Sequence, residues 1–292
     1  MLTALLPNGK VIHASEYSDE KHGFTLFCID PQCKAPVIYV GASSSSETKR
    51  SAYFKTIGKD IDSKHKENCG FYEPLDVVGA IQKTALYQQQ ILESEGVPKQ
   101  IINLNLKRLD PDYIPKEPID RKEKKEEKED KVKVKDDKEA PGTIGSLKSI
   151  VKLLTSYEPD MLATIYFNVG GGRKLPLSHV VMSPDRAYDL LWQDMTLPRM
   201  QYFVYGRVSE VTKLEKVTMI DMDIDDEEKP FTIVIFAEYY KHFLYDKKDL
   251  IGKEFLVFGD LRKNTYKDIN KAQIVIKSSD YLELIRTKKR NL

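Results

Sequence analysis

The segments Cys28-Ile-Asp-Pro-Gln-Cys33 and His65-Lys-Glu-Asn-Cys69 decide how the first part of this chain folds. They contain all three cysteines of the 292-residue sequence, and four residues separate the first pair while three separate the second. Such short spacing lets each pair reach one ion with little backbone strain, and zinc prefers four sulfur and nitrogen ligands in a tetrahedron. The pattern therefore predicts a structural Zn²⁺ site built from Cys28, Cys33, His65 and Cys69.

The surrounding sequence favours a metal site over the alternatives. Asp30-Pro31 predicts a turn inside the first pair, and two strand-like runs between the pairs, Val37–Val40 and Ala52–Thr56, form a hairpin that brings the pairs together. Cys33 and Cys69 have polar neighbours, whereas core cysteines usually sit in apolar sequence. An odd number of cysteines in a long chain argues against a disulfide framework. Buried core cysteines, one disulfide with a free thiol, and a catalytic cysteine remain as alternatives.

A family resemblance follows from the same residues. Phe27-Cys28-Ile-Asp-Pro-Gln-Cys33, Tyr53-Phe54 and Lys64-His65-Lys-Glu-Asn-Cys69 resemble the N-terminal zinc-ribbon segment of competence-protein CoiA-like bacterial proteins. The resemblance covers residues 24–70. In that family the zinc module precedes a nuclease domain, but no matching nuclease pattern follows here. The resemblance implies metal binding and DNA-related work, and nuclease activity is not carried over from it.

The clearest boundary in the chain lies at residues 116–139. This segment has ten basic and ten acidic residues and almost nothing apolar, so it cannot bury enough surface to offset the entropy lost on ordering. We predict a disordered, solvated linker, with a charged helix held by i,i+4 ion pairs as the alternative. The predicted parts are a zinc-binding α+β module (1–110), the linker (111–141), a helix–hairpin–helix connecting region (142–200) and an OB-like barrel (201–292).

Helical and strand-like patterns lie on both sides of the linker. Before it, Asp76 is an N-cap residue, and apolar residues keep helical spacing up to Gly96, a stop signal. A short strand is predicted at Ile101–Leu109.

After the linker, Ser146 caps a predicted short helix. Met161–Val169 and Lys174–Met182 resemble strands, and the glycine-rich turn between them predicts a hairpin. Ser183 followed by proline then opens a second helix.

Residues 201–278 resemble an OB-fold in their pattern. The β-type runs are 202–211, 217–224, 230–237, 253–262 and 272–278. A short helical stretch, Glu238–Tyr245, separates the third run from the fourth, and a terminal helix is predicted around Tyr281–Arg286. Gly206 and Gly259 fall inside strands where a small barrel must bend. The predicted fold class is α+β, with an N-terminal zinc-ribbon-like module and helix, a charged linker, and a hairpin/helix segment leading into a five-stranded OB-like β-barrel.

Alternation in the first of these runs suggests a nucleic-acid surface. One face carries small and β-branched residues that suit a barrel interior, which leaves aromatic and cationic residues to stack on bases and contact phosphates. The predicted nucleic-acid-binding residues are Tyr205, Arg207, Lys263 and Lys277. Alternatively, these aromatic residues pack against the preceding helices. The whole chain has 46 basic and 45 acidic residues, so any nucleic-acid contact must be local rather than through bulk charge. Residues 201–292 are also nearly balanced, with 17 basic and 16 acidic groups.

No catalytic motif is present. We expect a non-catalytic, zinc-containing protein that binds single-stranded DNA or RNA in a bacterial or phage DNA-processing or defence context. The alternatives are a protein-interaction adaptor, whose zinc module and barrel dock partner proteins, and a divergent nuclease. The chain has no apolar run of about 18 residues and no signal peptide, so we expect a cytoplasmic protein without a membrane partner.

Overall fold

The computed structural model is a mixed α+β structure with one large sheet. It describes residues 1–44, 49–73, 75–94, 97–114 and 142–286. The predicted linker lies outside the described residues from position 115 onward, as does Gly96. In the described parts no helix is both long and apolar enough to cross a bilayer.

The helices and strands are numbered in chain order. The α-helices are α1 Asp19–His22, α2 Val77–Leu92, α3 Leu147–Ser156, α4 Pro159–Ala163, α5 Leu177–Val180, α6 Pro184–Trp192 and α7 Lys247–Leu250. The first strands are β1 Thr3–Leu5, β2 Val11–His13, β3 Val37–Val40, β4 Ser43–Ser44, β5 Lys49–Arg50, β6 Tyr53–Thr56, β7 Gln100–Leu104, β8 Thr143–Ile144, β9 Ile165–Asn168 and β10 Lys174–Pro176. The others are β11 Val181–Met182, β12 Tyr202–Lys213, β13 Val217–Met222, β14 Phe231–Phe236, β15 Glu254–Gly259, β16 Leu261–Tyr266, β17 Ile269–Val275 and β18 Leu282–Leu284.

Residues 1–73, called here the N-terminal module, are built from antiparallel strand pairs. β1 pairs with β2, β3 with β6, and β4 with β5. The hairpin predicted between the two cysteine pairs is therefore present as β3 and β6. The rings of Tyr39 on β3 and Phe54 on β6 pack with that of Tyr17, with ring centroids 4.7–5.8 Å apart.

Helix α2 joins the N-terminal module to a four-stranded sheet. The side chain of Asp76 accepts a hydrogen bond from the Gly79 N–H at 2.7 Å, so the predicted N-cap is confirmed. The sheet has the order β10-β9-β7-β8. Strand β7 precedes the charged segment in sequence, and it pairs in parallel with β8 and β9, which follow that segment. One continuous core cluster runs from Val77 on α2 to Ile285.

Two predicted strands of the connecting region are partly helical. The run Met161–Val169 begins in α4, where Pro159 occupies the first helical position and fits there because its missing N–H has no partner to lose. The run Lys174–Met182 is interrupted by α5. An apolar run of this length does not by itself distinguish a strand from one buried helical turn.

The large sheet has the strand order β16-β17-β14-β13-β12-β15-β18, with β11 beside β12. β14 runs parallel to β17, whereas the pairs β12–β13 and β13–β14 are antiparallel. The predicted run 253–262 divides at Asp260 into β15 and β16, which pair with β12 and β17 respectively. The predicted run 272–278 begins earlier, at Ile269.

One helix predicted in this region is wrong, and another is a 3₁₀ helix. The terminal helix at Tyr281–Arg286 is instead strand β18, which pairs antiparallel with β15; β15 has β12 on its other side, so β18 supplies the second set of backbone partners. The short helical stretch predicted at Glu238–Tyr245 is present as a 3₁₀ helix at Ala237–His242.

Gly259 tests the packing of this sheet. A Cβ at this position would lie 2.7 Å from Cγ2 of the buried Ile274, and a β-branched side chain has little freedom to move aside. We expect Gly259→Ala to lower the free energy of unfolding by about 1–3 kcal/mol, measured by urea denaturation.

Gly142→Ala is the matched control, because a Cβ at Gly142 meets no atom within 4 Å. Its effect should stay within about 0.5 kcal/mol. Equal stability of the two variants would contradict this account of the packing.

Candidate metal centre

The four predicted ligands converge on one point. The ligand atoms of Cys28, Cys33, His65 and Cys69 all lie within 4.8 Å of one another. The Sγ atoms of Cys28 and Cys69 are 3.6 Å apart, and Nδ1 of His65 lies 3.5 Å from Sγ of Cys33 and 3.4 Å from Sγ of Cys69. A disulfide requires about 2.05 Å, and all three cysteines are free. The group could hold a metal ion.

A tight turn positions the first pair. The backbone N–H groups of Cys33 and Lys34 both donate to the carbonyl of Asp30, at 3.0 and 3.2 Å, and the N–H of Cys28 donates to the carbonyl of Ala35 at 2.8 Å. Lys34 adopts a left-handed conformation with φ of 50°, which reverses the chain after the second cysteine. The turn predicted from Asp30-Pro31 therefore places both sulfur atoms on the same side.

The second pair lies in a compact loop. The N–H of Cys69 donates to the carbonyl of Lys66 at 2.9 Å, and the N–H of Phe71 points at Sγ of Cys69 at 3.4 Å. The ring of Phe71 also lies beside the imidazole of His65, with centroids 5.6 Å apart. This loop therefore fixes both ligands and supplies an N–H group to one sulfur, a contact that orients a metal ligand.

The carboxylate of Asp30 connects the two loops, and sequence reasoning missed this role. The side chain is fully buried and accepts hydrogen bonds from the N–H groups of Gln32 at 3.0 Å and Gly70 at 3.1 Å. It also accepts hydrogen bonds from the Lys83 ammonium and the Tyr87 hydroxyl, each at 2.7 Å. Burial opposes ionisation, but these donors outweigh it and lower the pKa of Asp30.

Helix α2 supplies the partners that hold this carboxylate. Lys83 donates a second hydrogen bond to the carbonyl of Asn68 in the loop of the second pair. Tyr87 stacks on Phe71, with ring centroids 5.7 Å apart and planes at 7°. Gly70 passes so close to the Tyr87 hydroxyl that a Cβ there would overlap it. The Cys/His cluster is therefore anchored to α2 and not only to its own loops.

A second buried carboxylate fixes strand β1. Asp160 on α4 is fully buried and accepts hydrogen bonds from the N–H groups of Leu2 and Thr3, the latter at 3.0 Å. Burial raises the pKa of Asp160. This contact, which the sequence did not predict either, holds the N-terminal module against α4.

The three thiols of the cluster differ in how readily they ionise. Hydrogen bonding from Cys28 and His65 lowers the pKa of Cys69 to about 5. Hydrogen bonding to Cys69 and burial raise the pKa of Cys28, and burial raises that of Cys33. The thiolate is the form that binds metals. A metal ion would replace the protons that the buried thiols otherwise keep.

The structure corrects the prediction for Tyr205 as a base-stacking residue. Both faces of the first half of β12 are covered, and Tyr205 is 6% exposed, with its pKa raised to about 12 by burial. Phe203 on the same face packs on Phe258 and Phe167, at centroid distances of 4.6 and 6.1 Å. The aromatic residues of this face are therefore buried, and Phe203 packs on residues of strands β9 and β15.

The other three predicted nucleic-acid-binding residues each contact an acidic partner. The ion pairs are Arg207–Asp223, Lys263–Asp194, Lys277–Asp110 and Lys277–Asp112. These are surface pairs, which typically contribute about 0–1 kcal/mol, so they do not prevent phosphate binding. Each cation contacts a different set of residues, however, and Tyr205 does not join them at a common surface.

The turn between β16 and β17 is a second exposed feature that the sequence reasoning did not select. Lys267 and Asp268 both adopt left-handed conformations, which suits a two-residue hairpin turn. Tyr266 is 62% exposed, and Nζ of Lys267 lies 5.4 Å from the centre of its ring. The signal available in the sequence was a tyrosine next to lysine within a basic, asparagine-containing run.

Comparison of the chain with protein-family models and with curated proteins finds no match. The likenesses to CoiA-like proteins and to an OB-fold therefore stay predictions, and the function must be argued from the residues themselves.

Replacing Asp30 tests the link between the metal centre and α2. Asp30→Asn leaves the partly buried ammonium group of Lys83 without its counter-charge. We therefore expect the free energy of unfolding to fall by about 2–4 kcal/mol. Urea denaturation of the metal-loaded protein measures this loss. Asp62→Asn, at an exposed site in the same module, should change stability by less than about 0.5 kcal/mol. A neutral Asp30→Asn would contradict the role assigned to this carboxylate.

Proposed function

We propose that Cys28, Cys33, His65 and Cys69 hold a structural Zn²⁺ ion. With Zn–S bonds of about 2.3 Å and Zn–N bonds of about 2.0–2.1 Å, a tetrahedron has S–S edges of about 3.8 Å and S–N edges of about 3.6 Å. The separation of 3.6 Å between the Sγ atoms of Cys28 and Cys69 supports this geometry. So do the 3.4–3.5 Å separations between Nδ1 of His65 and the Sγ atoms of Cys33 and Cys69. Four protein ligands leave no open position for a reacting water, which is typical of structural rather than catalytic zinc.

The core of the N-terminal module explains why an ion is needed. Its main cluster contains twelve buried residues, and three of them are the cysteine ligands. The other nine supply little apolar surface, and small domains with thin cores commonly add a metal or a disulfide for stability. Zinc would therefore act by folding residues 1–73 and docking them on α2.

Metal analysis tests the zinc proposal. Elemental mass spectrometry of the purified chain should find one Zn²⁺ per molecule. Cys69→Ser should remove most of this zinc, because one of the four ligands is lost. His242→Gln changes a histidine outside the cluster and should keep one zinc. A zinc-free parent protein, or full zinc retention by Cys69→Ser, would contradict the proposal.

We further propose that residues 201–286 form an OB-like module that binds single-stranded nucleic acid. The order of pairing supports this fold: β12, β13 and β14 form a meander, β14 runs parallel to β17, and the contiguous β15 and β16 pair with the first and last strands. A five-stranded Greek-key barrel has strands in this order.

The exposed β16–β17 hairpin is the observation that carries the nucleic-acid proposal. Residues 261–271 contain four basic residues and one acidic residue, a local charge of +3 in a chain whose formal net charge is +1. In OB-folds the loop at this position contacts oligonucleotides. Tyr266 offers a ring for base stacking, and Lys267 and Lys271 offer phosphate contacts. The proposed interface is therefore this hairpin rather than Tyr205.

A protein-interaction adaptor is the second candidate. Phe24 and Ile61 in the N-terminal module are 81% and 89% exposed, and large apolar side chains at such exposure are typical of docking surfaces when they cluster. An adaptor of this kind would show no affinity for oligonucleotides at low salt.

Fluorescence anisotropy with labelled single-stranded oligonucleotides tests the hairpin. Loss of one stacking ring reduces the binding free energy by about 1–3 kcal/mol, so Tyr266→Ala should weaken binding roughly 5- to 150-fold. The affinity of the parent protein should also fall as the salt concentration rises.

Tyr72→Ala is the matched control, since it removes a half-exposed tyrosine from the N-terminal module and should leave affinity unchanged. No binding by the parent protein at low salt would remove the nucleic-acid proposal and favour the adaptor.

A further inference from the structure

A cavity of about 710 Å³ lies between the N-terminal module and the connection from α3 to α4. Its walls include Arg50, Tyr53, Lys55, His65, Phe71 and Tyr157. The volume falls within the range of about 300–1,000 Å³ that small-molecule sites occupy. We propose that this cavity binds a mononucleotide unit, meaning one phosphate group together with one base. This inference is independent of the hairpin interface.

The charge of the walls favours an anion. Arg50 and Lys55 are both exposed, and neither forms an ion pair with any residue that the structure describes. Glu158 is the one acidic residue among the lining residues, and its carboxylate lies 3.1 Å from the α-amino group of Met1. Two cations without an ion-pair partner among the described residues therefore face the cavity, and a phosphate group would pair with them.

Aromatic rings beside these cations suit a base. Tyr53 and Lys55 are two residues apart on β6, so their side chains lie on the same face of the strand. Phe71 and Tyr157 also line the cavity, and the stacking of Phe71 on Tyr87 holds its ring in place. Every base has a π-face, and stacking on such rings is worth about 1–3 kcal/mol per base.

His65 connects this cavity to the metal centre. Its Nδ1 faces the sulfur atoms of Cys33 and Cys69, which leaves the proton on Nε2 once a metal is bound. A metal-bound histidine almost always donates this second N–H to an oxygen atom, yet Nε2 of His65 has no hydrogen-bond partner in the described part of the chain. Because His65 lines the cavity, a phosphate oxygen would supply that acceptor.

Isothermal titration calorimetry on the zinc-loaded chain tests the site, with AMP and pyrophosphate as the first probes. We expect AMP to bind and the double variant Arg50→Gln/Lys55→Gln to weaken it at least about tenfold, because both phosphate partners are lost. Tyr53→Leu should weaken the binding of AMP while leaving the binding of pyrophosphate unchanged.

Lys59→Gln is the control. It changes an exposed lysine of the same module that does not line the cavity, and it should bind like the parent protein. Zinc content, measured on each variant, should stay at the parent level.

Two further probes identify the source of the nucleotide. If a 5′-phosphorylated oligonucleotide binds more tightly than AMP, and the double variant loses this difference, the natural ligand is the end of a strand. If the two probes bind equally, the natural ligand is a free nucleotide. AMP binding should persist in Tyr266→Ala, which separates this site from the hairpin. Failure of the parent protein to bind either AMP or pyrophosphate, or binding by the double variant at parent affinity, would overturn the proposal.

Discussion

The buried carboxylate of Asp30 is the constraint on which the N-terminal half of this structure depends. It lies in the turn of the first cysteine pair, accepts the N–H that follows the second pair, and forms an ion pair with Lys83 on α2. An isolated buried charge would be strongly unfavourable, but four donors compensate this one. Four protein ligands can bring two loops together, but only contacts of this kind fix the resulting module on a helix of the main core.

That attachment gives the chain its organisation. Helix α2 packs on one side against residues of the N-terminal module and on the other against the four-stranded sheet and its helices. The sheet combines β7 with strands that follow the charged segment. Strand β11 pairs in parallel with β12 and so belongs to the large sheet. The proposed zinc site and the proposed oligonucleotide-binding hairpin thus belong to parts connected through a shared core. The cavity beside His65 lies where the N-terminal module meets the α3–α4 connection.

The sequence predicted features whose signals are local. The cysteine and histidine ligands occur in pairs with short internal spacing, so their chemistry is visible without knowing the fold. The cap at Asp76 and the strands β3 and β6 follow from residue types within a few positions. The partners of Asp30 lie 53 and 57 residues away, and no periodicity points to them. For Tyr205, alternation defined two faces of β12 but could not show that other elements cover both. The helical turn α4 and strand β18 likewise depend on tertiary contacts that override local pattern.

X-ray absorption spectroscopy at the zinc edge tests the central claim most directly, because it reports the atoms bound to the ion in the folded protein. The account predicts three sulfur neighbours at about 2.3 Å and one nitrogen neighbour at about 2.0–2.1 Å. A shell of oxygen and nitrogen atoms alone, or a spectrum typical of hydrated zinc, would show that the cysteine and histidine side chains do not hold the ion. The N-terminal module would then need another source of stability.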